Sequence, residues 1–232
     1  GYSLKGLIDL VEHVIRFSFK KRSVESVTTS KYRSEYLKVF ANTAFSDLRL
    51  CDLPRHVFIP AFLLDNKDFK RGSEGRTALP GLFTNIIPGN DTERIADVCL
   101  RSAAAPSYYS PYQNYVDGGV IDNMPVGLAW PYLIGDRGLN LKKENITCLA
   151  LSAGRPTPAY IDAEKIGGGG LVQWAPNLVD LFMLARRKAS EQQAEMLLGS
   201  NFYRVDPVLP SHVDLDNVED IDTVKAIAST YD

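Results

Sequence analysis

The chain has 232 residues, 45% of them hydrophobic, and 26 basic residues stand against 28 acidic ones for a formal net charge of −2. That is enough apolar material for the core of one large α/β domain, expected over residues 1–232. No basic cluster is interleaved with aromatics, which excludes a nucleic-acid surface, and no apolar run approaches the roughly 18–20 residues that span a bilayer. The first residues also lack a signal peptide's apolar core, so the expected location is cytoplasmic or peripheral to a membrane. Cys51, Cys99 and Cys148 are odd in number, far apart and without C-x-x-C spacing. They predict neither a disulfide framework nor a zinc site, and no metal or cofactor is expected. His13, His56 and His212 lie in unrelated contexts and suggest no triad.

Leu4, Leu7, Ile8, Val11, Val14, Ile15 and Phe17 recur at helical spacing, so the chain opens in an amphipathic helix. Gly1-Tyr2-Ser3-Leu4-Lys5 superficially matches a G-x-S-x-G nucleophile elbow, but no strand precedes it and Lys5 stands where the last glycine belongs. Lys21 to Ser30 is a polar link, followed by a second helix carrying Tyr32, Tyr36, Leu37, Phe40 and Ala44 on one face. His56 to Leu64 is a nearly continuous apolar run, the mark of a strand buried on both faces, with Pro60 expected at a bulge or an end. Asn66 to Pro80 reads as a solvated loop; its Lys67, Lys70, Arg71 and Arg76 also suit a rim facing anionic headgroups. Leu82 to Ile87 predicts a short strand, and Asp91 or Thr92 is expected to cap a helix running from Ile95 to Ser102.

Tyr115-Val116-Asp117-Gly118-Gly119-Val120 follows, an apolar strand ending in an acid and two glycines. A carboxylate there sits where the backbone turns tightly and other groups approach closely. Asp-Gly is equally the mark of a hairpin turn. Before it, Arg101 to Ala105 closes a helix with small residues and Pro106 stops it. After it, Asp122-Asn123-Met124-Pro125 offers turn residues and then a proline suited to a helix's first turn. That helix runs to Ile134 and Gly135, with Pro131 expected to bend or shorten it. Ile146 to Ser152 is a buried strand. Gly167 to Gly170 is a hinge that, with Trp174, suits a mobile flap near lipid. Leu178, Leu181, Phe182, Ala185, Ala189, Gln192 and Met196 mark the inner stripe of a long helix, with Arg186, Arg187 and Lys188 on its outer side. Asn201 to Pro207 is a last strand. Asp214, Asp216, Glu219, Asp220 and Asp222 lead into a terminal helix whose dipole they complement.

The small-residue helix end, the aromatic loop, the Asp117-Gly118-Gly119 strand end and the Asn123-x-Pro125 helix start occur in register. In that order they resemble the catalytic block of the patatin-like phospholipase family. The Ile59-Pro60 strand before the block and the Tyr203-Arg204-Val205-Asp206-Pro207 strand after it extend the resemblance over most of the chain. It implies a mostly parallel sheet between helices, a three-layer sandwich that is N-terminally incomplete here. It also implies hydrolysis of lipid acyl esters by a Ser-Asp dyad, with Asp117 as the acid/base, Gly118 and Gly119 as its supporting turn, and no histidine. The partner is then a lipid ester, met at a peripheral membrane or lipid-droplet surface. Ser152, at a strand end but without the elbow's first glycine, is expected to be structural, as in that family.

The family's elbow serine and glycine-rich oxyanion loop have no counterpart in these residues, so the chain alone is expected to be inactive. The competing reading is a non-catalytic lipid-binding or scaffolding relative. Lacking a central strand, the sheet is expected to expose an edge through which the chain self-associates.

Overall fold

The computed structural model describes residues 3–19, 29–68, 75–155, 161–174, 178–209, 213 and 216–230. The polar link over 21–28, Lys70, Arg71, His212 and Asp214 lie outside these residues, as do Gly1 and Tyr2.

Helix α1 (Leu4–Ser18) begins at Ser3, whose Oγ accepts the Gly6 N–H at 3.1 Å. Ser3 is thus a helix cap rather than a nucleophile on an elbow. Helix α2 (Glu35–Phe45) starts later than the sequence suggests. Tyr32 precedes it, 1% exposed, in a cluster with Phe19, Tyr108 and Tyr109. The Tyr32 hydroxyl and the Lys31 ammonium both meet the Asp216 carboxylate, which ties the C-terminal segment to this cluster.

Strands β1 (Phe58–Leu63) and β2 (Leu79–Thr84) pair antiparallel, and helix α3 (Ile95–Ser102) leads to β3 (Tyr115–Asp117). Arg94, not Asp91 or Thr92, stands at the N-cap of α3, and its side chain makes no capping bond; Asp91 instead accepts the Gly89 N–H. β2 begins at Leu79 because Pro80 and Gly81, which suggest a turn in sequence, pair with Phe62 and Ala61. Helix α4 (Val126–Ile134) follows, then β4 (Cys148–Leu151), the short helices α5 (Ala163–Ile166) and α6 (Leu171–Trp174), the 21-residue α7 (Leu178–Leu198), β5 (Phe202–Val205) and α8 (Ile221–Ala228). α4 runs through Pro131 and ends at Gly135.

Helices separate the strands, as an α/β fold requires, except between β1 and β2. Their directions divide between two sheets. β1 lies between β2 and β3, antiparallel to both, so β2 and β3 run the same way across it. β4 and β5 are parallel, as the helices between them demand of a crossover. β1 is followed by a loop without a helix, and its neighbour β2 therefore returns antiparallel. Alternation along β1 sends Val57, Ile59 and Ala61 into a core with Leu50, Phe83, Ile95 and Val98, while the Phe58 ring meets Tyr132 of α4 at 5.0 Å. Helices thus flank this sheet on both faces. Each fully buried aliphatic side chain of that core contributes about 1.5–3 kcal/mol.

The second sheet buries one face only. Cys148 and Phe202 pack with Trp130, Ile146, Ala194 and Leu198 between α4 and α7. Leu149 and Leu151 point the other way and are 60% and 74% exposed, with Tyr203 beside Leu149. The strand expected to be buried throughout is therefore half uncovered among the described residues. The inner stripe of α7 also differs from its apolar periodicity. Ser190, Ala194 and Leu198 are buried, whereas Phe182 and Met196 are 67% and 89% exposed. No helix among the described residues is long and apolar enough to cross a membrane.

Candidate active site

Asp117 ends β3 opposite Ala61 of β1, and its N–H donates to the Ala104 carbonyl at 3.0 Å. The small residues after α3 are what allow that approach: Ala104 is 3% exposed and leaves the strand room to lie against it. The chain then enters a 3-10 turn, Gly118–Val120, with Asp117 as its cap and Asp117 Oδ1 accepting the Gly119 N–H at 2.6 Å. A carboxylate oxygen held by a backbone donor is oriented rather than free to rotate. The partly buried side chain has its pKa raised by burial, an effect the Gly119 N–H partly offsets.

Close approach explains both glycines. A Cβ on Gly118 would lie 2.3 Å from the Pro60 carbonyl oxygen. A Cβ on Gly119 would meet Asn123 Oδ1 at 2.6 Å and Asp117 Oδ1 at 3.0 Å. The Asp117 carboxylate and the Asn123 amide therefore face the same point above Gly119. Pro60 sits within β1, neither at a bulge nor at an end. Its carbonyl faces Gly118 and accepts the Ser102 hydroxyl at 2.7 Å, so its ring nitrogen faces the same side, where pairing to β3 has stopped at Ala61. The missing N–H thus costs no ladder bond there.

Val116 is 6% exposed and supplies burial, but Val120 is 51% exposed and does not. The aromatic loop before β3 is held by Arg101, whose guanidinium bonds Gln113 and Glu93 and lies 5.0 Å and 4.9 Å from the Phe83 and Tyr115 ring centres. Asp122 is the residue the sequence reading passed over. Its side chain is fully buried, accepts the Met124 N–H at 2.9 Å and the Ser190 hydroxyl, and lies 3.6 Å from Arg186 Nε. The local signal was an Asx turn, Asp-x-Met, before the helix; nothing nearby in sequence pointed to Ser190.

The other candidates serve structure. Ser152 Oγ accepts the Gly154 N–H at 3.1 Å at the end of β4. The His13 ring packs against Phe17, centre to centre 4.5 Å, tilted by 39°. Arg76 pairs with Asp65 in the cationic loop. Cys51, Cys99 and Cys148 are free thiols, and no cluster fit for a metal ion occurs among the described residues. A charged cleft of about 440 Å³ is lined by Arg155, Lys188, Glu191, Arg204, Val205 and Asp206. Its walls are ion-paired to one another, Arg204 to both Glu191 and Asp206, and include no residue of the acid turn. The Asp117 carboxyl, oriented by a backbone donor and partly buried, contrasts with this self-neutralised cleft.

The structure is an α/β domain that presents an acid on a glycine turn at a strand end. The patatin-like phospholipase family matches residues 7–130, and the chain belongs to that family. CotR of Bacillus subtilis, which carries a sporulation-hydrolase name, is 29% identical over 204 residues, 77% of this chain and 61% of its own length. Protein teg of Priestia megaterium is 28% identical over 71% of this chain and 57% of its own length. The cGAMP-activated phospholipase of Pseudomonas aeruginosa is 26% identical over 82% of this chain and 55% of its own length. The chain thus spans less than two thirds of the length of these relatives.

Proposed function

We propose that this chain carries the acid half of a Ser-Asp dyad that hydrolyses lipid acyl esters, with Asp117 as the acid/base and Gly118 and Gly119 shaping its turn. The observation that carries this reading is the partly buried Asp117 carboxyl, held by the Gly119 N–H at 2.6 Å with its pKa raised by burial. Raised basicity and fixed orientation are what a carboxylate needs to take a proton from a serine hydroxyl and return it to the leaving alcohol. Ser3, Ser102, Ser152 and Ser190 are each engaged in caps or bonds elsewhere, and the sequence holds no G-x-S-x-G elbow, so this reading takes its nucleophile and oxyanion donors from outside these residues. The uncovered Leu149–Leu151 face supports the same reading, because a parallel pair is ordinarily covered on both faces. The same face supports self-association of the chain on its own. A lipid ester is the substrate, met from the water side.

Two experiments decide. The 232-residue chain alone is expected to show no hydrolysis of p-nitrophenyl esters and no labelling by a fluorophosphonate. A longer protein that supplies the elbow is expected to show both, with Asp117→Asn abolishing turnover. A longer protein that binds lipid vesicles yet neither reacts with the probe nor hydrolyses esters is a lipid-binding module instead, and hydrolysis unaffected by Asp117→Asn removes that residue from the mechanism.

A further inference from the structure

We infer that Asp122 is a positioning residue for Asp117, bolting the acid turn to α7 through Ser190; the inference rests on Asp117 being the dyad acid. The turn is held from two sides. On the sheet side, Gly118 lies against the Pro60 carbonyl, and Asp117 is bonded to Ala104. On the exit side, the Ile121 and Asp122 N–H groups both donate to the Gly118 carbonyl, at 3.0 Å and 3.1 Å. The Asp122 carboxylate then leaves the turn for the interior, where it accepts Met124 N–H and Ser190 Oγ–H beside Arg186.

A fully buried carboxylate persists only with its donors in place, so its position is narrowly determined. Ser190 is itself fully buried in the middle of α7, where serine is a neutral to unfavourable helix former. Its hydroxyl is spent on Asp122. The polar pair does not neutralise Asp117, nor does it touch the Asp117 carboxyl. It sets the path of the backbone that carries the Gly119 N–H.

Two consequences separate positioning from mere packing. If the bolt is removed, the Gly119 N–H no longer holds Asp117 Oδ1, and the carboxyl loses its aim at the serine. Losing that donor also removes the one influence that lowers the Asp117 pKa against burial. Charged groups on the elements packed around Asp117 do not take its place. β1 carries none, Asp97 of α3 is engaged by Tyr112 and Arg94, Arg101 of α3 by Gln113 and Glu93, and Arg186 of α7 faces Asp122. Because the base works deprotonated, the acid limb of the pH–rate profile then moves to higher pH.

The test uses the full-length protein and its hydrolysis of a p-nitrophenyl ester, with Asp117→Asn as reference. Asp122→Ala is expected to lower kcat about 10–100-fold with KM changed less than about twofold, and to shift the acid limb upward. Ser190→Ala, which deletes only a hydroxyl, is expected to move both readouts the same way by less. Asp122→Asn is expected to restore most of kcat, since its amide oxygen still accepts Met124 N–H and its NH₂ donates to Ser190 Oγ. If Asp117→Asn is inactive while Asp122→Ala and Ser190→Ala keep the wild-type kcat and acid limb, the positioning role is overturned and the dyad stands. Should Asp122→Ala fail to fold, Ser190→Ala decides: an unmoved acid limb in that variant overturns the inference. Full activity in Asp117→Asn overturns the dyad reading itself.

Discussion

Gly118→Ala is the sharpest perturbation of the acid turn. The added methyl would lie 2.3 Å from the Pro60 carbonyl oxygen and 2.9 Å from its carbonyl carbon. Ordinary carbon–oxygen contact needs about 1 Å more, and the obstacle is backbone of the central strand β1, held in place by β2, β3 and the Ser102 hydroxyl. The turn must therefore move, by about 1 Å, carrying the adjoining Asp117 with it. Overpacking of this kind destabilises by about 1–3 kcal/mol, and a 1 Å misplacement of a reacting group costs about 10²-fold in rate. Gly119→Ala is the milder comparison. Its methyl would meet the Asn123 side-chain oxygen at 2.6 Å, the end of an exposed side chain that can swing aside, and Asp117 Oδ1 at a tight but less severe 3.0 Å, so a smaller loss is expected there. Ester hydrolysis and urea midpoints of the two variants in the full-length protein give the comparison. Equal losses at both glycines, or a Gly118→Ala variant with wild-type kcat, would refute the reasoning from close approach.

Burial raises the Asp117 carboxyl above its ordinary value of 3.8, so the folded protein holds that proton more tightly than the unfolded chain does. The stability it contributes is present below 3.8 and is lost as pH rises through the higher folded value. Asp117→Asn is thus expected to flatten the decline of the urea midpoint across that window, and an unchanged slope counts against a desolvated carboxyl. Tyr32→Phe removes a buried hydroxyl that donates to the Asp216 carboxylate and is expected to cost about 1.5–3 kcal/mol. A urea midpoint unmoved by that change would mean the C-terminal segment is not held through this bond. Leu151→Lys, on the uncovered face of β4, is expected to change the stability of the 232-residue chain by less than about 0.5 kcal/mol while lowering its tendency to self-associate in sedimentation. A stable monomer both before and after the change would dismiss this face as the contact.

The acid turn was legible because its requirements are local. A strand end, a small-residue helix end and a glycine that must admit a carbonyl leave their mark in the sequence, and in the fold Asp117 ends β3 while Gly118 lies against the Pro60 carbonyl. The faces of α7 and β4 were not legible by the same means. Apolar periodicity assumes that what is hydrophobic is covered, yet Phe182, Met196, Leu149 and Leu151 are exposed. Conversely, Ser190 is buried because of what it bonds. Its partner lies 68 positions away, at Asp122, so neither residue carries a pattern that its own neighbours could reveal. A buried serine and a buried aspartate each look like surface residues until they are paired. Burial of polar groups follows from mutual satisfaction across the fold, not from local hydrophobicity. For that reason the polar link between the acid turn and α7 emerges only once the chain is folded, although both of its ends stand in plain view in the sequence.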